Sequence, residues 1–256
     1  MDNTVLEFNS VTFSYSGPDN DTKILDSLDF RVQEREFVSI IGASGSGKST
    51  LFRLISGLEQ PSIGEILING NYLTNRLGHV GYMPQQDLLM PWRTIVENAA
   101  LPLQINSYRK DEARKQVTAL LDEFGLSGYE NRYPGDLSGG MKQRVSFLRT
   151  ILTGAPVLLL DEPFSALDAI TRLSMQEWLM EQWEKRKKTI LFITHDVNEA
   201  LYLSDRIFVF NQTPVHALEE IKIPMKRPRN LKDLNRPEMI ALKDRLLDQL
   251  RLKVKP

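Results

Sequence analysis

Apolar and polar positions alternate along residues 4–13, TVLEFNSVTF, the period-two signature of a half-buried strand. The polar stretch after it, SYSGPDNDTK at 14–23, reads as a loop. At 37–42, FVSIIG, alternation gives way to an unbroken apolar run with β-branched residues, which predicts a strand buried on both faces. A helix is expected over 49–58, and GEILINGNYL at 64–73 reads as a strand pair or hairpin.

Between about 88 and 150 the period lengthens. RTIVENAALPL and KDEARKQVTALLDEFGL place Val, Leu and Ala at helical spacing with charges on the opposite side. APVLLLDEP (155–163) and KTILFITHD (188–196) return to buried strands separated by a helix, and DRIFVF (205–210) adds another. A final helix over 237–253 presents Ile240, Leu246, Leu247 and Leu250 for packing on the core. The pattern predicts an α/β fold: a core over about 1–87 and 151–215 with a parallel sheet and an N-terminal antiparallel β layer, an inserted helical subdomain over 88–150, and a C-terminal helical tail over 224–256.

At 256 residues and 41% hydrophobic, the chain can build a substantial core. A net charge of −1 supplies no overall field to recruit nucleic acid or an anionic bilayer, and the basic cluster Lys226, Arg227 and Arg229 reads as solvated surface. The absence of cysteine excludes disulfides, thiolate metal sites and a cysteine nucleophile. MDNTVLEFNS lacks the basic flank and apolar centre of a signal peptide, and no stretch reaches the roughly 20 apolar residues that cross a bilayer. A cytosolic protein is expected, one that would serve a membrane only through another chain.

The chemistry concentrates in a few motifs. Residues 42–49 fit G-x-x-x-x-G-K-[ST] with Gly42, Gly47, Lys48 and Ser49, between a predicted strand and a predicted helix. In such a loop, backbone N–H groups of Gly42, Ala43, Ser44, Gly45, Ser46 and Gly47 turn toward phosphates, Lys48 reaches the β- and γ-phosphates, and the Ser49 hydroxyl ligates Mg²⁺. Thr50, next in the helix, is read as part of the same nucleotide-binding set. The strand VLLLD ends in Asp161, placed for the Mg²⁺ shell, with Glu162 one step further out to polarise a water for attack on the γ-phosphate. His195 ends a second core strand, within reach of the same phosphate. Tyr15, ahead of a loop, is a candidate to stack on adenine.

A second anion-binding helix start lies far along the chain. DLSGGMKQRVSF at 136–147 puts a Ser-Gly-Gly turn before a basic amphipathic helix, where unpaired N–H groups and the positive dipole end converge. LSGGM at 137–141, upstream of LLLDEP, resembles the signature of ABC transporter ATP-binding subunits, and with the other motifs the resemblance runs over residues 4–215.

That resemblance implies an ATPase that binds ATP and Mg²⁺. Tyr15 would stack on adenine, Gln85 in YMPQQD would contact Mg²⁺ and the attacking water, and Asp168 in SALD would lie at a subunit interface. Two copies meeting head to tail would set Ser138, Gly139 and Gly140 of one against the γ-phosphate held by Lys48 of the other. The implied partners are a second ATPase subunit, an integral membrane permease and, through it, an external solute-binding protein, at the cytoplasmic face of the membrane and without nucleic acid. The exposed apolar stretch LLMPW at 88–92, with Trp92, would meet the permease.

Met141, LLMPW and the tail from Lys226 resemble the nitrate, sulfonate and taurine importer branch, which also contains importers of pyrimidine vitamin precursors. An exporter motor would share every catalytic residue. A soluble ATPase acting on ribosomes or nucleic acid would differ by paired nucleotide domains or long inserted coiled coils, and this sequence has neither.

Overall fold

The computed structural model of the chain describes residues 3–17 and 21–251. Residues 18–20 of the expected loop, 252–253 of the expected last helix and 1–2 of the N-terminal stretch lie outside the described residues. The first strand runs past its predicted end, β1 (Thr4–Tyr15), and pairs antiparallel with β2 (Thr22–Gln33), which the hydropathy pattern does not reveal. The reading of 14–23 as a loop is therefore too long at both ends. β3 (Phe37–Gly42) is buried at every position and feeds α1 (Lys48–Ser56). The expected hairpin forms as β4 (Ile63–Ile68) and β5 (Asn71–Tyr72).

A three-residue strand, β6 (Gly81–Met83), precedes the helices α2 (Ile95–Ala99), α3 (Leu101–Ile105), α4 (Lys110–Leu121) and α5 (Gly139–Ile151). β7 (Val157–Asp161), α6 (Ala169–Arg186) and β8 (Thr189–Ile193) follow, then α7 (Val197–Leu203), β9 (Arg206–Phe210), β10 (Glu219–Lys222) and α8 (Pro237–Arg251).

Two sheets result. One is antiparallel in the order β2-β1-β4-β5; the other runs β10-β9-β3-β8-β7-β6, with parallel pairing everywhere except at β10. The period of two along β7 and β8 explains why their sequences are unbroken apolar runs. Val157, Leu159, Leu191 and Ile193 face the antiparallel layer and α1, whereas Leu158, Leu160, Ile190 and Phe192 face the helices. With both faces covered, neither set of side chains can be polar.

α1 is wedged between the sheets by Leu51, Phe52, Leu54 and Ile55, all fully buried. Its end is fixed by an unusual device: Gly57 caps it in the left-handed conformation, and the buried Arg76 donates to the carbonyls of Leu54, Glu59 and Leu73 and to Gln60 Oε1. A buried guanidinium is tolerated because those acceptors replace its hydration and satisfy a helix-terminal carbonyl.

Two expectations for the tail need correcting. Arg227 and Arg229 are not solvated surface. Arg227 pairs with Asp205 at 2.7 Å and lies over the Trp183 ring at 4.2 Å, while Arg229 donates to Met225 O at 2.7 Å, and burial lowers its pKa to about 10. Lys226 alone of the three is exposed. In α8, Leu246 is fully buried with Leu247 and Leu250 packed beside it, but Ile240 is 44% exposed and Met239 takes the inward position. The predicted face therefore holds at its C-terminal half, and only at its start does Met239 replace Ile240.

Candidate functional site: a phosphate loop beside a paired carboxylate strand end

The loop between β3 and α1 is held tightly from behind and left open in front. Gly47 adopts φ 99°, and a Cβ there would come within 2.6 Å of Ile24 Cγ2. Gly42 is pressed against Phe210, where a Cβ would meet Phe210 Cβ at 2.8 Å. Only glycine fits these positions. Gly45, at φ 78°, has nothing within 4 Å of where a Cβ would stand, so the outer rim faces space. Ala43, Ser44, Gly45 and Ser46 line a cleft of about 200 Å³ there.

Two polar groups in the loop are arranged for an anion. Lys48 Nζ curls back to the carbonyls of Gly42 at 2.9 Å and Ala43 at 2.8 Å, poised over the loop mouth. Burial lowers its pKa, opposed by Glu162 and Asp161. Ser46 Oγ is buried and has no hydrogen-bond partner, an orphan that a phosphate oxygen at the loop would satisfy. Tyr15, at the end of β1, places its hydroxyl 3.4 Å from Thr50 Oγ1, beside α1, with its ring perpendicular to that of Phe13.

Asp161 closes β7 at 7% exposure. Burial raises its pKa; hydrogen bonds from Tyr82, at 3.3 Å, and from Ser49 oppose the rise. Ser49 and Asp161 therefore lie side by side, hard oxygen donors of the kind Mg²⁺ takes. Among the described residues no group of three or more His, Asp or Glu side chains is arranged to hold a metal ion, so Mg²⁺ would fit here by drawing its remaining oxygens from phosphates and water. Tyr82 is a member of this cluster that sequence reasoning missed, because nothing in YMPQ signals that its hydroxyl reaches across to the next strand.

Glu162 sits in the left-handed region at φ 45°, an uncommon conformation for a non-glycine residue, its N–H bonded to Ile193 O. The turn throws its carboxylate outward, where Oε2 lies 3.2 Å from Gln85 Nε2 and 3.2 Å from His195 Nδ1. Gln85 also reaches Ser165 Oγ at 3.4 Å. Three residues read from three separate motifs are thereby brought to one point.

The Ser-Gly-Gly turn belongs elsewhere. Ser138 caps α5, its hydroxyl accepting from Met141 N at 3.3 Å, and Gly139 and Gly140 pack against the Leu167 and Thr171 side chains. A Cβ on either glycine would stand 3.1 Å from its neighbour, a tight approach that the Leu167 or Thr171 side chain would have to yield to. Ser138 and Gly139 face outward. Asp168 caps α6 from the exposed surface, accepting from Ile170 N and Thr171 N; hydrogen bonds from the Thr171 side chain and backbone, with that from Ile170 N, keep its carboxyl below the usual range. Trp92 and Leu88 are 73% and 59% exposed, whereas Leu89 within the same apolar stretch is buried.

Comparison with known proteins places this arrangement. The family model described as ABC transporter matches residues 25–165. The chain is 47% identical to the formylaminopyrimidine import ATP-binding protein ThiZ of Halalkalibacterium halodurans, over 91% of this chain and 90% of the relative. It is 40% identical to the aliphatic sulfonates import ATP-binding protein SsuB of Bacillus cereus, over 88% and 89%. Among solved structures, the ATP-binding cassette MJ0796, described as a dimer in a post-hydrolysis state bound to ADP and Pi, superposes with a TM-score of 0.74 at 32% identity, covering 86% of this chain and 100% of that one.

Proposed function

The chain belongs to the ABC transporter family and is an ATPase of that family, and on that premise we propose that it is the motor subunit of an importer. It works at the cytoplasmic face of the membrane beneath a separate permease. Two copies pair head to tail around two ATP molecules, and the imported solute reaches the permease from an external binding protein. Among the described residues no helix is long and apolar enough to cross a membrane. The import names carried by the relatives support this reading, and they favour a small solute of the sulfonate or pyrimidine-precursor kind.

In each site Lys48 and the loop amides hold the phosphates, and the ring of Tyr15 stacks on adenine. Ser49 and Asp161, with Gln85, would hold Mg²⁺, which when bound would neutralise phosphate charge. Glu162 orients a water and accepts its proton as the water oxygen bonds to the γ-phosphorus and the bridge to the β-phosphate breaks. His195 contacts the γ-phosphoryl group, held in place by Glu162. Ser138, Gly139 and Gly140 of the partner close the far side of that group, with Asp168 at the seam. Loss of the γ-phosphate removes what both halves hold, so hydrolysis reopens the dimer.

The observation that carries this proposal is the position of Glu162 Oε2, between Gln85 and His195. The Ser-Gly-Gly turn meanwhile packs against the α6 start rather than on the loop. The test is to tag the protein, extract it gently from its native membranes and identify what co-purifies by mass spectrometry. An integral permease is expected; ribosomal proteins or nucleic acid without a membrane chain would overturn the transport role.

A further inference from the structure

Glu199 is a carboxylate in α7 that no step above uses, yet it is only 6% exposed. Both of its oxygens are occupied by uncharged donors. Thr194 Oγ1 donates to Oε2 at 2.5 Å and Gln176 Nε2 donates to Oε1 at 3.0 Å. Thr194 and Gln176 are themselves buried, at 2% and 4% exposure. Burial pushes the Glu199 pKa up, and the two hydrogen bonds pull against it.

The geometry gives the group a direction. Thr194 gives its single hydroxyl proton to Glu199 Oε2. Its lone pairs are then committed to the other side, where Oγ1 accepts from Asp196 N at 3.0 Å. That bond spans His195, closing a tight turn around it. The turn is anchored at one end by Thr194 N to Ile40 O, on the strand entering the phosphate loop. At the other end Asp196 caps α7, accepting from Asn198 N at 2.7 Å and Glu199 N at 3.4 Å. The ring so presented meets Glu162 Oε2 at 3.2 Å although the His195 side chain is 64% exposed and has little packing to hold it. Through Gln176 the same carboxylate grips α6, the helix that Asp168 begins.

We infer that Glu199 is a positioning residue for His195. By fixing the Thr194 hydroxyl it sets the turn that holds the imidazole against Glu162, and by gripping Gln176 it ties that turn to the helix carrying Asp168. The inference rests on the role given to His195 above.

Steady-state ATP hydrolysis by purified Thr194→Val, Glu199→Leu, Glu199→Gln and His195→Ala proteins, with a thermal melt of each, tests it. Thr194→Val keeps shape and removes only the hydroxyl, so it carries the test even if Glu199→Leu fails to fold. Misplacing His195 should lower kcat by roughly 10- to 100-fold in Thr194→Val and Glu199→Leu, with KM for ATP within about twofold of wild type. Combining the two changes should cost no more than either alone. Glu199→Gln should recover most of the rate, because its Oε1 still accepts from Thr194 while the Gln176 amide turns to receive its Nε2. A lowered melting point with unchanged kcat in Thr194→Val and Glu199→Leu, beside a slow His195→Ala, would leave Glu199 a packing residue and overturn the inference alone. A full-rate His195→Ala would overturn the role of His195 and the inference with it.

Discussion

Gln85 and His195 converge on a single atom, Glu162 Oε2, each at 3.2 Å, from opposite sides of the strand end that bears it. One comes from the loop after β6, the other from the turn after β8. A group gripped by two uncharged or weakly basic partners is oriented without being neutralised, which suits a water-positioning carboxylate. His195→Ala should therefore lower kcat by about 10² to 10⁴, leaving ATP affinity within a few-fold, as read by steady-state kinetics and direct nucleotide binding.

Asp161 should cost the protein stability when no nucleotide is bound. Its folded pKa is raised above the ordinary 3.8, chiefly by burial. The folded state then binds more protons than the unfolded one between the two values, so this group's contribution falls as pH rises through that window and stays unfavourable at neutral pH. Asp161→Asn should raise the neutral-pH melting midpoint by roughly 2–4 °C for about each kcal/mol relieved, and the gain should shrink toward pH 4. The same variant should lose the extra stabilisation that Mg²⁺ adds to ATP.

Tyr15 offers a uniform-binding test. Its hydroxyl meets Thr50 of α1, and it shares no hydrogen bond with Glu162 or His195. Tyr15→Ala should raise KM for ATP by about three- to tenfold, the worth of one aromatic stack, with kcat unchanged. A drop in kcat of similar size would place the ring in the chemistry instead.

The contrast between Leu246 and Ile240 in α8 makes a prediction about stability alone. Leu246→Ala should destabilise by about 2–5 kcal/mol, because it empties a fully buried site, and Ile240→Ala by under about 1 kcal/mol. Paired urea titrations would measure both.

Much of the fold was legible because the central strands combine a fully apolar run with a chemical landmark at the end. FVSIIG leads into the phosphate loop, VLLLD into Glu162, and TILFI into His195. β2 was not legible. Ser27 adopts φ 52°, and the β1–β2 register shifts repeatedly, so the inward positions Ile24, Leu25, Leu28, Phe30 and Val32 lose a constant phase. β6 has three residues and β10 has four, too few for a period to register. In the site, the motifs pointed to Gln85, Glu162 and His195, which the structure brings together, but nothing in the sequence pointed to Tyr82, Thr194 or Glu199. Their roles come from hydrogen bonds between distant segments or across a turn, which spacing does not encode. The tail misled for a related reason: Arg227 and Arg229 look like free charge in sequence, whereas Asp205 and the carbonyls around the end of α7 absorb them.

Size-exclusion chromatography with light scattering of Glu162→Gln shows whether each nucleotide is shared by two chains. Slowed hydrolysis should let ATP hold the two halves together. Twice the chain's 29.3 kDa is expected with ATP, the single-chain mass with ADP, and the single-chain mass again when Ser138→Arg is added to Glu162→Gln, although that double variant still binds ATP. A single-chain mass with saturating ATP, or a dimer indifferent to Ser138→Arg, would contradict that sharing.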